Sequence, residues 1–182
     1  MDEHIQFGVT DDYFDAVPVA DGVAVRMSDN VALILTQLTD RLIRFLENGE
    51  VGQRSRGPFR RALTPDMMLC RMFPDAHRDS AQARSFRERH AAVLRDSTAP
   101  RRVHARCAGD TVHVIDHAEV DDWLVTLGLA RFLTLPRDAA TPDLTGTWIN
   151  HMQECLVGAV NPQLTYLTTS WTQRPRTIRR DG

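Results

Sequence analysis

The chain has 182 residues, 42% of them apolar and 25% charged. This composition suits one ordinary domain with a real core and excludes wholesale disorder. The net charge of −2 excludes a uniformly basic or acidic protein, yet it hides a division: residues 1–50 hold ten acids against three arginines, and 51–110 hold thirteen arginines against six acids. No apolar run reaches the roughly 18 residues of a membrane span. The acidic opening, MDEHIQFGVTDDYFD, lacks the order of a signal peptide. A cytoplasmic protein without a membrane partner is expected. Three cysteines, Cys70, Cys107 and Cys155, form neither a disulfide framework nor a zinc pattern. There is no lysine, so Schiff-base and phosphate-loop lysine chemistry is excluded.

Residues 1–21 read as an acidic N-terminal arm, loose or at most a partial strand. GVAVRM, 22–27, alternates as a short strand. Ser28 can cap a helix in which Val31, Ile34, Leu35, Leu38, Leu42, Phe45 and Leu46 share a face and Asn48-Gly49 forms the end. Residues 50–62 are an arginine-rich loop. Thr64-Pro65 opens a short helix with Met68, Leu69, Met72 and Phe73 on its apolar side, and Pro74 stops it. Ser80 is the expected cap of a third helix, with Ala83, Phe86, His90, Val93 and Leu94 on one face. Residues 96–110 read as a second basic loop. TVHVID, 111–116, predicts a strand, and Asp116 with Glu119 a capping box. The helix that follows carries Val120, Trp123, Leu124, Leu127 and Ala130. Pro136 and a linker over 137–144 precede a last helix, with Trp148, Met152, Cys155, Leu156 and Ala159 inward. Asn161-Pro162 ends it, before a C-terminal extension, 161–182, with a basic end. The strands 23–27 and 112–115 are expected to pair beside the helices.

Candidate sites are weighed against plainer roles. His113, His117 and Glu119 could bind a metal, but alternation turns His113 to solvent beside a capping glutamate, so no metal is expected. His151 and Glu154 lack the second histidine of a metalloprotease helix. No nucleophile elbow, P-loop or dinucleotide fingerprint is present, so no catalytic residue and no cofactor is assigned. Cys107 follows Arg101, Arg102, His104 and Arg106, which could lower its pKa. It is the first redox candidate, with Cys70 as resolving partner, and Cys155 reads as core filler. The arginines of 51–106 could meet an acidic partner or phosphate. Helices 65–73 and 80–94 faintly suggest a helix-turn-helix, though their turn is long.

Three segments, LCRMFPDAHRDSAQARSFRER, VHVIDHAEVDDWL and WINHMQECLVGAV, together with the opening of 22–46, resemble an actinobacterial family of unknown function. Its members are often encoded beside the proteolytic adaptor ClpS and include AosR-like redox regulators. The resemblance carries over to Phe73, Pro74, Ala76, Arg78, Asp79, Phe86, Arg87, Trp123, Leu124, Arg131, Trp148, Gln153, Glu154, Leu156 and Val157. His77, Gly128, His151 and Cys155 depart from the family pattern. The likeness implies a helical domain over 22–160, and for AosR-like members a role in oxidative-stress transcription with a sigma-factor partner.

The combined expectation is a mainly α-helical single domain with a small two-stranded sheet. Its expected role is non-enzymatic regulation or adaptation through protein–protein contacts, with a sigma factor or proteolytic component as partner and with homo-oligomerisation allowed. A hydrolase or a DNA-binding regulator is the alternative. Arg78, Asp79 and Arg87 are the partner-binding candidates. Phe73, Pro74, Trp123, Trp148 and Glu154 are the structural ones.

Overall fold

A computed structural model describes residues 12–51, 64–75, 77–134 and 144–164. The first basic loop, Ala76, Pro136, most of the linker and the basic end of the chain lie outside the described residues.

The sheet has three strands: β1 (Phe14–Val19), β2 (Gly22–Met27) and β3 (Val112–Ile115), ordered β1-β2-β3 and antiparallel throughout. The expected pairing of 23–27 with 112–115 is present, with Val25 opposite His113. β1 adds a third strand from the segment read as an arm. Pro18 obscured it, because proline removes a ladder donor. Pro18 nevertheless lies opposite Val23, and Met27 N–H bonds the Thr111 carbonyl at 3.0 Å. That bond fixes the alternation: Val23, Val25 and Met27 direct their backbone groups at β3, and Gly22, Ala24 and Arg26 direct theirs at β1. The N–H that Pro18 lacks would therefore point outward from an edge strand, where its loss is tolerated. Gly22 has φ +146°, and a Cβ there would stand 2.1 Å from the Ile115 carbonyl oxygen. Only glycine fits.

Helix α1 (Asp29–Asn48) begins where Ser28 accepts the Val31 N–H, and ends at Gly49 in the left-handed conformation. Its apolar stripe is buried as the spacing predicts, with Val31, Leu35, Leu42 and Leu46 at most 1% exposed. α2 (Pro65–Met72) is capped by Thr64. α3 (Ser80–Arg89) is capped by Asp79 rather than Ser80, with Asp79 Oδ1 accepting the Gln82 N–H at 2.8 Å. A turn at His90 separates α3 from the short α4 (Ala91–Leu94). The expected continuous apolar face is lost there: Val93 is 74% exposed.

The second basic loop is a helix, α5 (Thr98–Cys107). Pro100, Val103 and Cys107 form its buried stripe, too sparse among arginines to register as periodicity. α6 (His117–Thr134) starts with the capping box, Asp116 Oδ1 accepting the Glu119 N–H at 2.8 Å and Glu119 Oε2 accepting the Asp116 N–H at 3.2 Å. α7 (Leu144–Val160) completes the fold.

α5 packs between α1 and α6, and α7 packs against α6 and β1. Phe14, Val23, Val25, Met27 and Ile115 form the inner face of the sheet. Trp123, 1% exposed, sits at the centre with Phe14 and His113 beside its ring, at centroid distances of 6.0 and 5.8 Å. The fold is a mainly helical single domain with a small three-stranded sheet.

Candidate functional site

Two groups of arginines stand out, on α5 and on α2–α4. Those of α5 face carboxylates on both sides. Arg101 makes two hydrogen bonds to Glu47 at the end of α1, each 2.8 Å, and Ser97 Oγ donates to the same carboxylate at 2.6 Å. These bonds hold the Glu47 carboxyl below its ordinary pKa. Arg102 grips Asp122 of α6 at 2.5 and 2.8 Å, and Arg106 bonds Glu119 at 2.8 and 2.6 Å. Planar guanidinium–carboxylate forks of this kind fix geometry as well as charge. His104 turns onto α1, its Nδ1 3.0 Å from Thr39 Oγ1 and 3.2 Å from the Thr36 carbonyl oxygen. The positive stretch thus serves to staple three helices. The pairings of Thr39 and these acids with α5 gave no signal in the sequence, because the partners lie 13 to 65 positions apart.

This stapling removes the basis for a reactive Cys107. Its cationic neighbours are neutralised, and the thiol is 3% exposed. Burial pushes its pKa up to about 12, opposite to the depressed value expected. Cys70 is exposed on α2. Cys155, read as core filler, is half-buried and packs against the edge of the core, with Sγ 3.7 Å from His151 Nε2 and 3.7 Å from the Phe14 carbonyl oxygen. Burial, with Asp15 and Glu154 nearby, raises its pKa as well.

The orientation expected for β3 is reversed. Val112 and Val114 face solvent, and His113 faces inward against Trp123. Register decides this, since His113 stands opposite the fully buried Val25. His113 Nδ1 lies 3.2 Å from the Asp110 carbonyl oxygen, and Nε2 is buried without a partner. Burial, the largest influence, lowers its pKa. His117 is exposed, and Glu119 is committed to its cap and to Arg106. Among the described residues no three metal-binding side chains gather, and no helix is long and apolar enough to cross a membrane.

The second arginine group lies on α2–α4. Phe73 is half-buried against the core and Pro74 is exposed. Two of the three partner-binding candidates have internal duties: Asp79 caps α3, and Arg87 pairs with Asp75 across the turn. Arg78 is exposed and has no carboxylate partner among the described residues, and the same holds for Arg71, Arg84 and Arg95. Between them Phe86 is flanked by His77 and His90, at centroid distances of 5.8 and 4.4 Å. Ala83 is the one buried residue of α3.

On α7, Trp148 is half-buried with its ring edge-on to His151. Gln153 Nε2 donates to the Leu124 carbonyl at 3.2 Å, and Arg131 donates to Asn150 at 2.9 Å, so both tie α6 to α7. Gly128 lies beneath Gln153. Glu154, expected to be structural, is exposed and has no hydrogen-bonding or ion-pair partner among the described residues.

A helical domain with a three-stranded sheet and an arginine-bearing helical appendage defines the class. The chain belongs to the DUF2017 family, a domain of unknown function whose profile matches residues 13–160. No curated protein and no solved structure matches it.

Proposed function

We propose that this chain is a regulatory adaptor and that its α2–α4 unit docks an acidic segment of a protein partner. The supporting observation is the state of Arg78: exposed and without a carboxylate, on a turn whose neighbours Asp79 and Arg87 are held by Gln82 and Asp75. An exposed guanidinium not engaged within its own chain is free to take a carboxylate in a bidentate pair, and Arg71, Arg84 and Arg95 extend the same cationic surface. Phe86 and Val93 supply apolar contact beside it. The resemblance to AosR-like proteins points to a transcriptional partner such as a sigma factor, and the ClpS association to a proteolytic component. Cys107 does not carry a redox function in this reading.

The test is affinity capture by the full tagged chain. An acidic protein should be retained, and released as salt rises, because the contact is charged at its rim. Retention of duplex DNA with no protein would favour the DNA-binding reading instead. Steady turnover of an ester or peptide substrate, lost on substitution of a defined residue, would favour an enzyme.

A further inference from the structure

We infer that β3 pairs edge-to-edge with β3 of a second copy, joining two sheets into one of six strands. The inference concerns a different surface from α2–α4 and is independent of the partner proposed there. Its basis is the unequal treatment of the two sheet edges. On β1 the outward-pointing groups belong to Phe14, Ala16 and Pro18. Pro18 offers no donor, and the Phe14 carbonyl is already met by Cys155 of α7. That edge is blocked in the way edge strands usually are. On β3, His113 and Ile115 direct their backbone groups at β2, which leaves the N–H and C=O of Val112 and Val114 pointing outward. No strand among the described residues takes them. The strand carries no charge, proline or bulge, and Val112 and Val114 are 59% and 51% exposed.

The open edge is self-complementary. A two-fold axis at His113 places Val112 opposite the partner's Val114 and Val114 opposite the partner's Val112. These are both hydrogen-bonded positions, each exchanging two backbone bonds. The four valines then adjoin on the outer face and extend the apolar row already formed by Val17, Ala24 and Val114. A second copy satisfies every outward group with one register, which no single foreign strand is required to do.

Sedimentation of the full chain at micromolar concentration tests this. The expected mass is twice 20.6 kDa, with slow amide exchange at Val112 and Val114. Val114→Pro removes only an outward N–H and should yield a monomer of unchanged far-UV dichroism. If that variant misfolds, a Val112→Lys/Val114→Lys pair, which leaves the β2 ladder intact, should give the same monomer through cross-strand repulsion. Val17→Lys, on the same face but away from the edge, should remain dimeric. A monomeric wild type overturns the inference, including one whose edge amides are protected by its own chain. So does a dimer that survives loss of the β3 edge or dissolves on Val17→Lys, which would mean stacking of faces.

Discussion

At the scale of single residues, two side chains do the reverse of what their neighbours in sequence suggest, and both are testable. His113 is held with its Nε2 in an apolar setting. Asp110 and Glu119 favour its protonated form and Arg106 opposes it, but burial outweighs them and lowers the pKa from 6.5. The unfolded chain therefore takes up this proton first. Stability is full above the ordinary histidine value and falls as pH drops below it. Urea midpoints compared at pH 7.5 and near 5.5 should show that loss, and His113→Phe, which keeps a ring on Trp123, should reduce it. An identical pH slope in both proteins would contradict the assignment. For the thiols, maleimide should label Cys70 in the native protein and spare Cys107 until unfolding. Cys107→Ser places a hydroxyl at a buried site and should cost about 1–3 kcal/mol. Labelling of native Cys107 would refute its burial.

At the scale of elements, legibility followed the density of apolar residues. α1 was readable from end to end because its stripe, its Ser28 cap and its Gly49 stop agree. α5 was not, since its three inward residues, one a proline, are interleaved with as many arginines whose partners lie on other helices. β1 was hidden by Pro18, whose tolerance depends on which side of the strand its nitrogen faces. The facing of β3 was read backwards because a histidine between valines looks solvent-bound until the register with Val25 is known. α6 carries one local inconsistency: Thr126 is fully buried and its hydroxyl has no partner. Thr126→Val keeps the shape and removes that polar group, so it should stabilise the fold by about 1 kcal/mol, raising the melting temperature by roughly 2–4 °C for a domain of this size. A lower melting temperature would mean that the hydroxyl is satisfied.

For the whole molecule, the central claim is that charge is partitioned: the arginines of α5 tie helices together, whereas Arg71, Arg78, Arg84 and Arg95 of the α2–α4 unit are exposed without a carboxylate among the described residues and form the surface proposed for a partner. The candidate site was half legible. Phe73, Pro74, Arg78 and Asp79 stood out through the family resemblance, but which of Arg78, Asp79 and Arg87 remains available depends on Gln82 and Asp75, contacts that only the folded chain defines. The most direct measurement compares Arg78→Ala with Arg101→Ala in partner capture and thermal melting. Arg78→Ala should lose the partner at least tenfold while melting as wild type does. Arg101→Ala, which frees Glu47, should keep the partner and shift the melt downward. Equal capture by wild type and Arg78→Ala, or a loss of capture confined to Arg101→Ala, would contradict the account.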